Sequence, residues 1–240
     1  MGKICVILQP TFLPWIGWFD LADQADTIIL LDDVPFSRQS WQQRNRIRTH
    51  NGLEYVTVSV KTSGLFGPKI SECKIIDEKF IRKFMNTIKV NYSKSNYCSQ
   101  LIFELEEVIT AGYESKFLAD LNCTIIDWML KKLKIDRRPV RSSTLNIAGV
   151  RGEHVAKICE YFQAEIYLSP VGAKDYLLED SIEFERRNVS IFLQDYKHPE
   201  YSQCFTPIIP YASALDLIFN AGPLAGTIMR SGRHSAKTLI

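Results

Sequence analysis

The sequence predicts an open, mostly parallel (Rossmann-like) α/β sheet of about five strands with flanking helices, plus a β-hairpin and a helical insertion. Three observations predict it. First, an apolar run over 3–9, a helical stretch over 16–25 and a second apolar run over 27–31 follow one another directly. Two buried strands joined through a helix form a βαβ unit, and such a unit makes the sheet parallel. Second, the same alternation resumes after residue 140. Third, residues 53–135 between these halves carry a different pattern, a hairpin followed by helices. The chain is therefore read as one α/β domain over 1–240, with 53–135 as the insertion.

Each element has a local reason. Residues 3–9 form an uninterrupted apolar run, the mark of a strand covered on both faces. Residues 10–15, Pro-Thr-Phe-Leu-Pro-Trp, form a proline-bounded loop, after which Ile16, Phe19, Leu21 and Ala22 recur at helical spacing. The second strand ends in Asp32-Asp33, and 34–52 reads as a long polar, basic connection. Residues 55–61 alternate and 70–76 are extended, with Ser63-Gly64 and Gly67-Pro68 as turn residues between them, so the two predict a hairpin. Asp77 is a natural N-cap for a helix reaching about Val90. Helices over 97–110 and 114–134 follow, joined at Gly112.

In the returning half, 141–145 is short and β-like, and 152–162 places Val155, Ile158, Cys159 and Phe162 on one helical face. Residues 166–168 form a strand closed by Ser169-Pro170-Val171-Gly172, with a short helix near 173–178. The strand over 189–193 runs into Gln194-Asp195-Tyr196, and Pro199, Pro207 and Pro210 mark a long loop. Ser213 is a good N-cap for a helix over 213–219, with Asp216 where a capping box puts its acid. Residues 221–240 are basic and glycine-containing and read as a loose tail.

Composition narrows the function classes. Apolar residues make up 46% and charged residues 23%, which are globular values. With 29 basic and 27 acidic side chains the net charge is +2, too small for a general nucleic-acid coat or a membrane-surface binder. The apolar runs fall well below the roughly 18 residues of a spanning helix. The N-terminus, with one basic residue and a short apolar stretch, reads as a strand rather than a signal peptide. Six cysteines at 5, 73, 98, 123, 159 and 204 show no Cys-x-x-Cys spacing. Reduced thiols, a cytoplasmic location, no zinc and no cofactor are expected.

In open parallel sheets ligands bind beyond the carboxyl ends of the strands. Those ends supply Gln9, Asp32-Asp33, Ser142-Ser143, Ser169 with Gly172, and Gln194-Asp195. Asp32-Asp33 suits an acid–base pair or a turn; one carboxylate is expected to cap the loop while the other faces the site. In Trp41-Gln42-Gln43-Arg44-Asn45-Arg46-Ile47-Arg48 an extended backbone puts the three arginines on one side, a local site for a diphosphate or carboxylate. Arg151, at a glycine-flanked helix start, and Lys174 with Tyr176, at a second one, are further anion candidates. Among four histidines, His198 directly follows a strand and is the best-placed general base. Neither a dinucleotide fingerprint, a phosphate-binding P-loop, a zinc-protease motif nor a serine elbow is present. Trp15-Ile16-Gly17-Trp18 occupies the place where some nucleotidyltransferases carry His-x-Gly-His, so that chemistry is lacking.

Taken in order, Gln9-Pro10-Thr11-Phe12-Leu13-Pro14-Trp15-Ile16-Gly17-Trp18-Phe19, Asp32-Asp33-Val34, Trp41 with Arg44-Asn45-Arg46-Ile47, Ser142-Ser143, Tyr167-Leu168-Ser169 with Gly172, Lys174 and Tyr176, Gln194-Asp195-Tyr196, His198-Pro199, Tyr201 and 215–220 resemble the WbqC-like family. Trp18, Val34-Pro35 and Ser169-Pro170 depart from its usual pattern, and Pro35 removes a polar side chain. The resemblance implies a bacterial protein associated with surface-polysaccharide (O-antigen) biosynthesis and with N-acylated amino sugars.

The expectation is a transferase that places an acyl or aminoacyl group, such as glycyl, on the amine of a nucleotide-linked amino sugar. Its partners would be that sugar and an activated acyl donor, free or on a carrier protein, with no nucleic acid and no membrane insertion. Asp33 or His198 would deprotonate the amine, Arg44, Arg46 and Arg151 would hold the diphosphate or a donor carboxylate, Trp15, Trp41 and Tyr201 would shape the pocket, and helix-start amides near Gly172 would stabilise an oxyanion. The alternative is a non-catalytic protein that binds a sugar nucleotide or an acyl carrier and assists another enzyme.

Overall fold

A computed structural model describes residues 2–61 and 67–240. In chain order the first half holds β1 (Ile4–Leu8), α1 (Ile16–Gln24), β2 (Thr27–Leu30), β3 (Arg44–Thr49), β4 (Gly52–Thr57), β5 (Val60–Lys61), β6 (Lys74–Ile75), α2 (Phe80–Tyr92), α3 (Cys98–Tyr113) and α4 (Leu118–Lys132). The second half holds β7 (Val140–Arg141), α5 (Arg151–Tyr161), β8 (Ile166–Ser169), α6 (Lys174–Glu179), α7 (Ser181–Glu185), β9 (Ser190–Tyr196), α8 (Ala214–Ala221), α9 (Ala225–Arg230) and β10 (Arg233–Thr238).

The continuous apolar runs of β1 and β2 suit a sheet covered on both faces, and that is where they lie. One six-stranded sheet has the order β10-β9-β8-β1-β2-β7, parallel except for β10. Side chains alternate between two cores. Val6, Leu8, Ile28 and Leu30 pack with α1, the helical insertion and α8, while Cys5, Ile7, Ile29 and Ile191 pack with α5 and α7. The chain runs outward from β1 to β2 and β7, then crosses to the other side of β1 for β8 and β9. The order therefore reverses between β1 and β8, the place where such sheets open a crevice. All six cysteines are free thiols.

The insertion is bound to the sheet through the loop after β1. Phe12 packs edge-on against Phe80 and Phe84 of α2, with centroids 6.1 and 6.0 Å apart. Asn122 of α4 donates to the carbonyls of Pro10 and Gln42 at 2.7 and 2.8 Å. No helix among the described residues is long and apolar enough to cross a membrane.

Two expectations are corrected. The main hairpin is β3 on β4, in register from Arg44 opposite Thr57 to Thr49 opposite Gly52. The arginine segment is therefore a strand, and the pairing expected between 55–61 and 70–76 is reduced to the short β5–β6 ladder. Ser63-Gly64 of the expected turn lies outside the described residues. The supposedly loose tail forms α9 and β10, the latter antiparallel to β9. Arg230 and Arg233 both clasp Asp23, and Arg233 also donates to Asp20 at 2.7 Å. These ion pairs replace the apolar contacts that a polar edge strand lacks.

Asp23 gives this clasp a pH dependence. Burial alone raises its pKa, but the bonds from Arg230 and Arg233 outweigh burial and hold it below the ordinary value. A depressed folded-state pKa contributes stability above the unfolded value near 3.8, lost as pH falls through the folded value. Asp23→Asn is expected to cost about 1–3 kcal/mol at pH 7 and less at pH 3, by urea denaturation. An equal penalty at both pH values would remove the electrostatic account.

Candidate active site

A cleft runs along the carboxyl edge of the parallel strands. Its middle part, about 700 Å³, lies between Gln9, Asp33, Lys69, His154 and Tyr176. It shares Gln9, Leu31, Val155 and Tyr176 with a compartment of about 460 Å³ over the β1–β8 crevice, which also carries Gln194 and Gly172. That compartment in turn shares Trp15, Trp18 and Trp41 with an aromatic end of about 250 Å³. At the other end Asp33 and Lys69 continue towards Ser143 and Asn146.

Alternation separates the two aspartates at the end of β2. Asp32 is fully buried. Its carboxylate accepts from Ser143 N and Oγ, each at 2.9 Å, and from Arg141 Nε at 2.7 Å. It is an anchor, and the ligand-binding role expected of it is withdrawn because its oxygens are already occupied. Asp33 turns into the cleft. Its Oδ1 accepts from Ser142 Oγ at 2.5 Å, and His154 Nε2 lies 3.3 Å from each carboxylate oxygen. Burial raises the Asp33 pKa, yet the bonds from His154 and Ser142 bring it below the ordinary value. Oδ2 keeps acceptor capacity towards a ligand.

His154 was not selected from sequence. It sits in the first turn of α5 with its Nδ1 enclosed and unpartnered among the described residues. A proton on Nε2 accounts for both ends of the ring, donating to Asp33 and leaving Nδ1 as an acceptor. Its signal was indirect: it follows the Gly149–Gly152 helix start already noted for anion binding. Lys69 was also missed. Its backbone N–H donates to the Glu72 carboxylate at 2.9 Å, its ammonium forms no ion pair among the described residues, and it lines the same compartment as Asp33. Tyr211, held at φ 66°, is a third omission, at the aromatic end.

Of the remaining expected residues, Gln9, Trp15, Trp41, Asn45, Arg46, Ser143, Gly172, Tyr176 and Gln194 line the cleft. Gln9 is oriented by Gln42, whose amide donates to its Oε1 at 2.9 Å. Gln194 donates to Gly17 O and Asp20 at 2.9 and 2.8 Å, so it supports the crevice floor. Arg151 borders the cleft but is paired with Glu179 at 2.5 Å, and Asp180 accepts from Gly152 N at 2.9 Å. The anion expected at this helix start is thus a carboxylate of the protein itself.

Other expectations fail on geometry. Arg44 stacks on Tyr55 at 4.4 Å and Arg48 is buried against the carbonyls of Thr49 and Pro207, so only Arg46 of the three reaches the cleft. Tyr201 is buried and donates to Asp216 at 2.8 Å, and Ser169 is fully enclosed. Asp195 pairs with Lys237 at 2.8 Å at the sheet edge, and Lys174 is exposed outside the cleft. His198 is not beside Asp33. Its Nδ1 donates to Pro199 O at 2.8 Å, its ring stacks 6.4 Å from that of Trp15, and burial lowers its pKa.

The Asp33 contacts give a direct test. His154→Ala and Ser142→Ala are each expected to raise the Asp33 midpoint, read by carbon NMR of its carboxyl group. Because the native value is depressed, binding of a cation at Asp33 should persist down to mildly acid pH and fail only below the ordinary carboxylate range. A midpoint unmoved in both variants contradicts the assigned contacts.

Comparison with known proteins adds to this geometry. A mycobacterial protein, "Uncharacterized protein Rv1507c" of Mycobacterium tuberculosis (strain ATCC 25618 / H37Rv), is 29% identical over 235 residues, covering 98% of this chain and 100% of the relative. No solved structure matches. The family model described as "WbqC-like protein family" matches residues 9–228, a span that contains every cleft residue named above. The chain belongs to the WbqC-like protein family.

Proposed function

We propose that the protein is a transferase that forms an amide on the amino group of a nucleotide-linked amino sugar, using an activated acyl or aminoacyl donor. The carrying observation is Asp33, a carboxylate that lines the middle of a long cleft and is held by His154 and Ser142. Its ionised state suits an ammonium group. Only a neutral amine attacks a carbonyl, so the site must also accept the ammonium proton. In the proposed reaction the ammonium first gives up one proton through Asp33 to solvent, the amine nitrogen then bonds to the donor carbonyl carbon, the bond from that carbon to the ester oxygen or thioester sulfur breaks, and the second nitrogen proton passes to the leaving group. Lys69, which lines the same compartment, would balance charge on the developing oxyanion. The WbqC-like membership supports a place in surface-polysaccharide biosynthesis in a bacterial cytoplasm.

The second reading, a binding protein without turnover, has one observation in its favour. Asp33 is held below the ordinary carboxylate range, which favours charge recognition over proton transfer. The readings separate in one experiment. The purified protein is incubated with 4-amino-sugar nucleotides and a panel of thioester and carrier-bound donors, and products are read by mass spectrometry. Amide formation that falls about 100-fold or more in Asp33→Asn, with sugar-nucleotide binding retained, supports the enzyme. No amide across the panel with intact binding supports the second reading and sinks the first.

A further inference from the structure

We propose that the aromatic end of the cleft is a nucleoside diphosphate subsite, with the base stacked against Trp41 and Tyr211 and a phosphate on Arg46. This rests on the reading of the cleft as a sugar-nucleotide site and assigns which end takes the nucleotide.

The compartment has the size of a subsite. Its volume of about 250 Å³ is below the roughly 300–1,000 Å³ of a complete small-molecule pocket. It opens into the neighbouring compartment through shared Trp15 and Trp41, so a ligand seated here extends towards Gln9 and Asp33. Its walls come from three separate segments joined by backbone hydrogen bonds. Phe12 N donates to Trp41 O at 2.9 Å, Ser213 N to Arg46 O at 2.8 Å and Ala214 N to Pro14 O at 2.8 Å. The aromatic side chains are thus carried on a fixed frame, which reduces the ordering cost on binding. Trp41 is 46% exposed and Tyr211 50% exposed, a large apolar area for packing to leave uncovered.

Arg46 supplies the charge. Arg141, Arg151, Arg187, Arg230 and Arg233 all form ion pairs, whereas Arg46 has no carboxylate partner among the described residues. Its Nε is enclosed with no hydrogen-bond partner, and its guanidinium lies 5.5 Å from the centroid of the Trp41 ring. An oriented, unpaired guanidinium beside stacking surfaces calls for a planar ring joined to an anion. A neutral pyranose fits less well, because it needs many hydrogen bonds from the walls. The Asn45 amide is already engaged with Phe12 O and Arg46 N.

The test titrates the full-length protein with TDP, UDP, ADP and GDP, with pyrophosphate and with a free hexose, by calorimetry and tryptophan fluorescence. At least one nucleoside diphosphate should bind and quench the fluorescence, with pyrophosphate much weaker. Trp41→Ala should weaken that binding at least fivefold, in line with the loss of one stacked base. Trp41→Phe should retain most of it, and Arg46→Gln should weaken the diphosphate more than the nucleoside. Circular dichroism confirms the fold of each variant. No binding of any of the four nucleotides, binding indifferent to both Trp41→Ala and Arg46→Gln, or hexose binding in preference to nucleotides overturns the assignment. Nucleotide binding needs no amide formation, so a failed amide assay with intact TDP binding removes the catalytic reading alone.

Discussion

The buried carboxylate of Asp32 is the constraint on which the site depends. It joins the end of β2 to the turn after β7, and Arg141, which donates to it, also reaches Asp120 of α4 at 2.5 Å. One anion thereby connects the parallel sheet to the helical insertion. Isolated, it would be costly to bury; with the Arg141 guanidinium and the backbone N–H and hydroxyl of Ser143 donating to it, much of its lost hydration is replaced. The next residue along the backbone is Asp33. Fixing Asp32 on one side of the strand end fixes Asp33 on the other, facing the cleft.

This explains which parts of the molecule were legible in the sequence. Strands whose faces are both covered must be apolar throughout, so β1, β2, β8 and β9 announced themselves, and βαβ order gave the direction of the sheet. For Asp32-Asp33 the sequence predicted one carboxylate capping the loop and one facing the site, but not which was which; the Ser143 and Arg141 contacts that enclose Asp32 come from 111 and 109 residues away. Strand β10, by contrast, reads Arg-His-Ser-Ala-Lys-Thr, because an edge strand needs a backbone partner and a few ion pairs rather than an apolar face. The β3–β4 hairpin was hidden for a related reason: its charged residues read as a solvated loop.

For the site, spacing was legible and direction was not. Three arginines at alternate positions share a side of β3, but their surroundings differ along the strand. Arg44 meets Tyr55, Arg46 meets the cleft, and Arg48 meets the core beneath Asp216. Similarly, His198 follows a strand as a catalytic residue would, yet the loop folds it onto Trp15. His154 reaches Asp33 from a helix start 121 residues further along the chain. Contacts of that separation depend on the docking of α5 on the sheet, which local pattern does not encode.

Unsatisfied polar atoms give an independent reason to place function in this cleft. Buried polar groups are almost always hydrogen-bonded, and leaving one unpaired costs about 1–3 kcal/mol. Among the described residues the enclosed side-chain atoms without partners are Arg46 Nε, Arg48 Nε, Asn122 Oδ1, Trp128 Nε1, His154 Nδ1 and His198 Nε2. Arg46 and His154 line the cleft, His198 stacks on a residue that lines it, and Asn122 braces the loop beneath it. Two of the six, Arg46 and His154, lie at the aromatic end and at the carboxylate end of the cleft, while Arg48 and Trp128 lie away from it. The proposed sugar-nucleotide ligand is bipolar in the matching sense, with an ammonium for Asp33 and a diphosphate for Arg46.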